Sequence, residues 1–339
     1  MDSVLISAWM EGADARLTID DASVSAAREA VRAAGAALGL DRTLIESVAV
    51  AASELVQNQL RHARGGQFAV RPVTRGGVPG LEIIAADRGP GIASPGTALA
   101  GSSPSPGSLG AGLSGARRMT QEIDLDVRWG EGTHIRAREF AAPVPRRREV
   151  AILGRHLADE PVSGDHAVFV RDPEGHLVLA VVDGIGHGPL AQDASSAAVA
   201  TFLAHQGMSP LLILEACDAA LRGTRGAVMA VARIDEESGA VEHGGAGNVT
   251  SRVEDFGRTR TLATTATTLG RRGLSRRPVA ETAALAPAEA LIVFTDGLTS
   301  RASLADHGHL LREHPIVIAE WLMTAFGRGT DDALVLVAR

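Results

Sequence analysis

"GAGLSG", residues 110–115, spells G-x-G-x-x-G, with Gly110, Gly112 and Gly115 in the glycine positions. Its reading decides the fold of the first part of the chain. A dinucleotide-binding turn needs its glycines directly after a strand, with an acid roughly 20 residues further on behind a second strand. Here the string follows "SPGTALAGSSPSPGS" (94–108), which is rich in Ser, Pro and Gly, lacks periodicity and reads as a mobile loop. The nearest acid at that distance, Glu131, sits inside "GEGT" (130–133). The glycines lead into a helix expected near 109–120, whose N-terminal amides and dipole suit phosphate. They point to a nucleotide site of another kind than a dinucleotide turn.

At 339 residues, 45% apolar and 22% charged, the chain can build two ordinary domains with real cores. A net charge of −7 lacks the basic footprint of a nucleic-acid-coating protein. All 33 basic residues are Arg; the absence of Lys excludes a Walker-A site, Schiff-base chemistry and the ion pair of eukaryotic-type kinases. The one cysteine, Cys217, permits neither an intrachain disulfide nor a thiolate metal cluster, and its helical setting "LLILEACDAAL" suggests simple burial. "MDSVLISAWMEGADARL" has no basic segment followed by a long apolar one, and no apolar run approaches ~18 residues. The expectation is a soluble cytoplasmic protein that engages neither nucleic acid nor membrane.

Along the chain, "DASVSAAREAVRAAGAALGL" (21–40) and "DRTLIESVAVAASELVQNQLRHA" (41–63) read as helices, the second starting at an Asp41 cap. "GQFAVRPV" and "GLEIIAAD" read as strands around the turn-rich "TRGGVPG". "IDLDVRW" and "THIRARE" follow the glycine string and complete an α+β unit over 1–139. Residues 140–149 are the expected linker; their Arg146–Arg148 run reads as solvated charge. From 150 to 339 strand strings dominate, with helices near 189–206, 209–222 and 311–326, which suggests a sheet sandwich covered by helices.

In helix 42–62, Glu54, Asn58 and His62 fall at i, i+4 and i+8, which sets a carboxylate, an amide and an imidazole on one face. Next comes "AADRGPGI", an apolar strand ending at Asp87, where Gly89 and Gly91 supply a bend that backbone can use to approach a ligand. The order "ELVQNQLRHA", "DRGPGI", "GSLGAGLSGARRM", "GEGT" resembles the GHKL ATPases, most closely the RsbT- and RsbW-like serine kinases of bacterial partner switching, over about residues 10–139. The resemblance implies an α/β sandwich, a mixed sheet with helices on one face, holding ATP with Mg2+. It assigns Asn58 to the Mg2+ bridging the phosphates and Glu54 as the base for the acceptor hydroxyl. Asp87, supported by Thr133, would accept from the adenine amino group. Gly89 and Gly91 shape that end of the site, and Gly110 and Gly112 let backbone amides cradle phosphate. His62 reads as structural, and Ser102, Ser103, Ser105 and Ser108 as loop filler.

Aspartates also stand where later strands stop: Asp165 in "VSGDHAVF", Asp183 in "LVLAVVDGIGHGP", Asp296 in "LIVFTDGLTS", and Asp331 and Asp332 in "GTDDALVLVAR". Carboxylates converging at one sheet edge select hard divalent ions. Two such ions can activate a water for in-line attack on a phosphoryl group. These strings, with "GGAGNV", resemble the PPM/SpoIIE-type metal-dependent serine/threonine phosphatases, RsbX-like in detail, over about 148–339. The resemblance implies an α-β-β-α sandwich with two Mn2+ or Mg2+. Asp183 would bridge both metals and act in catalysis, the Gly184 carbonyl would join one, and Asp296 and Asp331 would bind the other. Asp165 would bind a metal or orient its water, and Asp332 is the lesser candidate of its pair. Where the eukaryotic branch has His after Asp-Gly, this chain has Ile185; His187 either serves as an acid or shapes the turn. His166 reads as a strand residue, and "GGAGNV" (244–249) as backbone passing close to a neighbouring strand.

Together the resemblances imply two α+β domains and a bifunctional regulator that phosphorylates and dephosphorylates Ser or Thr on a STAS-domain partner, an anti-sigma factor antagonist or a stressosome protein. The alternative is a phosphatase whose N-terminal domain is a non-catalytic ATP-sensing or protein-binding switch. Isolated kinase domains of this type often pair, which allows a homodimer.

Overall fold

The computed structural model describes residues 10, 15–20, 22–101, 112–271 and 276–339. The chain divides into two units, Met1–Val150 and Ala151–Arg339. In the first, β2 (Gly66–Arg75) and β3 (Val78–Asp87) form a hairpin across Gly76 and Gly77, both at positive φ, the geometry of a tight two-residue turn. β4 (Glu122–Trp129) and β5 (Gly132–Phe140) form a second hairpin, and β1 (Ala15–Ile19) lies at the edge, giving the order β1-β2-β3-β5-β4. Among the described residues β1 pairs with β2, β2 with β3, β3 with β5 and β4 with β5, each antiparallel. Ile83, Ala85, Ile135, Ala137, Ile123 and Leu125 share one face by register and are all buried. On the opposite face Arg71 pairs with Glu82, and Arg138 bridges Glu82 and Asp124 at 2.6 and 2.9 Å.

The helices α1 (Ser23–Ala37) and α2 (Arg42–Asn58) form a hairpin and pack on the sheet. As expected, Asp41 caps α2, its carboxylate accepting from Thr43 N at 2.7 Å. The helix does not run on regularly to His62. Gln59–Ala63 form a π-helical turn closed by Arg64 in the left-handed region, so the i+8 spacing from Glu54 to His62 no longer holds one face. Within the stretch read as a loop, Pro95–Ala100 form a short helix, α3, with Pro at its first position. α4 spans Gly112–Arg118. Ser102, Ser103, Ser105, Ser108 and Gly110 lie outside the described residues. Of the residues read as a linker, Pro145 accepts from Arg75 at 3.1 Å, and Glu149 pairs with Arg117 and accepts from Ile123 N.

The second unit stacks two sheets. One holds β6 (Val150–Arg155), β15 (Ala333–Ala338), β14 (Ala290–Phe294), β11 (Thr250–Asp255) and β12 (Arg258–Leu262), in that order. The other runs β13 (Ala280–Ala284), β10 (Ala240–Ala246), β9 (Ala227–Ile234), β8 (Leu177–Gly184), β7 (Asp165–Arg171). α5 (Pro189–Ala204) and α6 (Pro210–Ala220) cover the second sheet, and α7 (Pro315–Phe326) packs on β15. This is an α-β-β-α sandwich whose central strands are apolar, as strands buried on both faces must be, except where β8 ends at Asp183-Gly184. Cys217 is buried on α6, and burial pushes its thiol up to about 12. No helix of the described residues is long and apolar enough to cross a membrane.

Two candidate active sites

The first site gathers at the C-terminal end of α2. Glu54 and Asn58 lie one turn apart, both half-buried. Gly112 N, at the start of α4, donates to the Glu54 carboxylate at 2.7 Å, and a Cβ on Gly112 would lie 4.0 Å from Asn58 Oδ1. Glu54, Asn58 and Gly112 therefore meet. Asp87 ends β3 opposite Thr133 of β5, and its carboxylate accepts from Gly89 N at 2.8 Å. Burial raises the Asp87 carboxyl above its usual range, opposed by the Gly89 and Thr133 amides and by His62. The bend after Asp87 lies against the π turn, where a Cβ on Gly89 would come 2.6 Å from Ala63 Cβ; Gly91 abuts the Arg128 carbonyl. Gly132 is obligatory, since any side chain there would overlap the Asp87 carbonyl. One contributor escaped the sequence reading. The buried Gln59 donates to the carbonyls of Ala86 and Gln67 at 2.9 and 3.0 Å and so fixes the strand end that carries Asp87.

The second site forms where strands of both sheets of the sandwich stop. Asp165 and Asp183 are register partners across β7 and β8. Burial, then the charge of Asp183, pushes Asp165 well above the carboxylate range, while Thr295 Oγ1 donates to it at 2.7 Å. Burial and the charges of Asp296, Asp331 and Asp332 push Asp183 up to about 8. Asp331 is raised too, by burial and then by Asp296. Asp296 accepts from Asn248 Nδ2 at 2.8 Å. Four separate chain positions thus converge closely enough to repel one another. Gly184 leaves no room for a side chain against the Ala191 carbonyl, nor does Gly297 against that of Asp332.

Asp332 has another occupation. Its two oxygens accept the amides of Leu157 and Gly164, both at 2.6 Å, while Asp331 accepts from Asp332 N. His187 is exposed and pairs with Glu160. His166 is buried against Ser195 Oγ at 3.0 Å. The "GGAGNV" backbone does pass close to its neighbours, a Cβ on Gly245 meeting Thr264 at 2.5 Å.

An all-oxygen donor set whose carboxylates repel one another fits divalent cations, which would cancel that repulsion. A different trio, Asp172, Glu174 and His176, brings its ligand atoms within 4.8 Å of one another at the far end of the β7–β8 hairpin. There the Arg233 guanidinium already neutralises Asp172 and Glu174, at 2.8 and 2.6 Å.

Residues 17–138 match the family described as histidine kinase-like ATPase domain, and residues 173–339 the stage II sporulation protein E (SpoIIE) family. Over 114 residues the chain is 37% identical to serine/threonine-protein kinase RsbT of Bacillus subtilis (strain 168), covering 34% of this chain and 86% of that protein. A solved structure from work on the bacterial stressosome, as a modular system adapted to control secondary messenger signaling, matches with TM-score 0.52 and 29% identity. That match covers 57% of this chain and all of the other. RsbX in complex with magnesium matches with TM-score 0.51 and 20% identity over 58% of this chain and 96% of RsbX, a likeness of fold. The histidine kinase-like ATPase match implies ATP, and the converging aspartates of the second unit fit a divalent metal. The chain belongs to the RsbT family of histidine kinase-like ATPase domains in its N-terminal part, and its C-terminal part matches the SpoIIE family.

Proposed function

We propose that this chain is a bifunctional partner-switching regulator: its first site phosphorylates Ser or Thr on a STAS-domain protein, and its second removes that phosphate. The observation that carries the reading is the pairing of Glu54 and Asn58 around Gly112 on the same chain as four mutually repelling aspartates at a sandwich edge.

At the first site Glu54 would take the proton of the acceptor hydroxyl, Asn58 would hold Mg2+, and Asp87 with Thr133 would receive the adenine amino group. The Gly112 amide is offered to the phosphates. Glu54 is bonded to the Gly112 amide; a phosphate oxygen that takes over this amide leaves the carboxylate available as a base. A non-catalytic sensor would have no use for a base one turn from its magnesium ligand.

At the second site Asp165, Asp183, the Gly184 carbonyl, Asp296 and Asp331 would hold Mn2+ or Mg2+. When bound, these ions would supply Lewis acidity and an activated water for in-line attack. The chain's own part is positional. Asn248 orients Asp296, Thr295 orients Asp165, and Asp332 ties the segments before β7 to the start of β15.

The test is to mix the chain with STAS-domain proteins and labelled ATP, with Mn2+ present and absent. Label that appears on the partner and decays when Mn2+ is added supports both activities. Label that never appears, with phosphorylated partner still losing phosphate, overturns the kinase half and leaves a nucleotide-sensing switch on a phosphatase.

A further inference from the structure

The β8–β9 ladder runs out at the Gly184–Ala227 pair, and continuing its register sets Arg225 opposite Gly186. Gly186 has no side chain, and the guanidinium lies over it: a Cβ built there would come 2.9 Å from Arg225 Nη1. The same nitrogen reaches the His187 carbonyl at 3.5 Å, a long contact that leaves the fork of donors largely unspent. The side chain is exposed, yet its backbone is fixed. Ile185 N donates to Gly226 O and Gly226 N to Thr224 Oγ1, both at 3.0 Å, and Thr224 Oγ1 donates to Leu221 O at 2.8 Å. A permanently charged group is thus held over the loop that follows Asp183, at Gly186 and His187.

Three other cations of this unit are committed to carboxylates. Arg171 pairs with Glu236, Arg233 with Asp172 and Glu174, and His187, on the same loop, with Glu160. Among the described residues Arg225 enters no ion pair. A phosphoester dianion approaching an edge of aspartates needs a protein cation on its outer oxygens, and a guanidinium meets two phosphate oxygens at once.

We infer that Arg225 is the substrate-binding residue that receives the phosphoryl group at the second site. The inference rests on the phosphatase reading of that site. It also gives the glycine at 186 a purpose, since a side chain there would push the guanidinium off the loop.

The experiment compares full-length Arg225→Ala and Arg225→Lys with wild type, using p-nitrophenyl phosphate turnover, Mn2+ affinity and calorimetric titration of inorganic phosphate into the Mn2+-loaded chain. The alanine variant is expected to raise KM and weaken phosphate binding by roughly tenfold or more, with kcat changed less and Mn2+ affinity unchanged. The lysine variant, which keeps the charge but not the fork, is expected in between. Unchanged KM and phosphate affinity in Arg225→Ala, or a wild type that binds no phosphate, overturns the inference. A wild type that binds phosphate through Arg225 but hydrolyses no phosphoester supports the inference and sinks the phosphatase reading instead.

Discussion

Burial and three neighbouring carboxylates move Asp183 from an unfolded value near 3.8 to about 8 in the folded chain. Between those values the folded state binds more protons than the unfolded one, so this group's contribution to stability is greatest at low pH and is lost as pH rises toward 8. Chelator-treated protein should therefore melt at progressively lower temperature from about pH 5 to about pH 8. Mn2+ should reverse the loss, because the metal selects ionised carboxylates in the folded state only. Asp183→Asn should flatten that slope, remove most of the Mn2+-induced rise in Tm and abolish phosphatase activity. A melting temperature that climbs with pH in the chelated wild type would contradict the assignment. Gly297 poses a steric question instead. A methyl group there overlaps the Asp332 carbonyl, next to the turn that carries Asp296. Gly297→Ala should cost about 1–3 kcal/mol in urea unfolding and lower Mn2+ affinity together with activity.

Helix α2 presents the chemistry of the first site, and its start is held by one side chain. Asp41→Ala should destabilise the chain by roughly 1 kcal/mol, seen as a lower first urea midpoint, while ATP affinity of the folded protein stays the same. A large loss of ATP affinity would mean that the cap sets the register of Glu54 and Asn58 rather than the stability of the helix alone. The two hairpins and α2 were legible because glycine pairs, alternation and an Asp cap are local signals. The π turn was not: "QLRHA" contains neither Gly nor Pro to announce a change of pitch, and only the packing of Gln59 against Ala86 reveals it. The helix Pro95–Ala100 is too short for periodicity to show. At the second site the aspartates were visible because each follows or precedes an apolar strand. Their supports were not, since Thr295 to Asp165 and Asp332 to Gly164 join residues 130 and 168 positions apart. Nor does the sequence show that Asp332, unlike Asp331, spends both oxygens on the backbone amides of Leu157 and Gly164.

At the scale of the whole chain, the proposed function makes the phosphorylation level of a partner a ratio of two rates rather than a property of either site. With ATP and Mn2+ both present, Asp183→Asn should drive a STAS-domain partner to near-complete phosphorylation, and Glu54→Ala should leave it unphosphorylated. The double variant should freeze whatever state it is given. Phosphate-affinity electrophoresis of the partner reads all three. Equal phosphorylation in wild type and Asp183→Asn would show that the second site acts on some other protein. The position of β15 adds a temporal side to this balance. This late strand lies between β6 and β14 and brings Asp331 and Asp332 to the edge, so the second site cannot assemble before those residues have left the ribosome. The first site needs nothing beyond the β5 strand, and domains fold in the order of their synthesis. On the proposed function, each nascent molecule passes through an interval in which it can add phosphate but not remove it, and translational pausing between the codons for β5 and those for β15 would lengthen that interval.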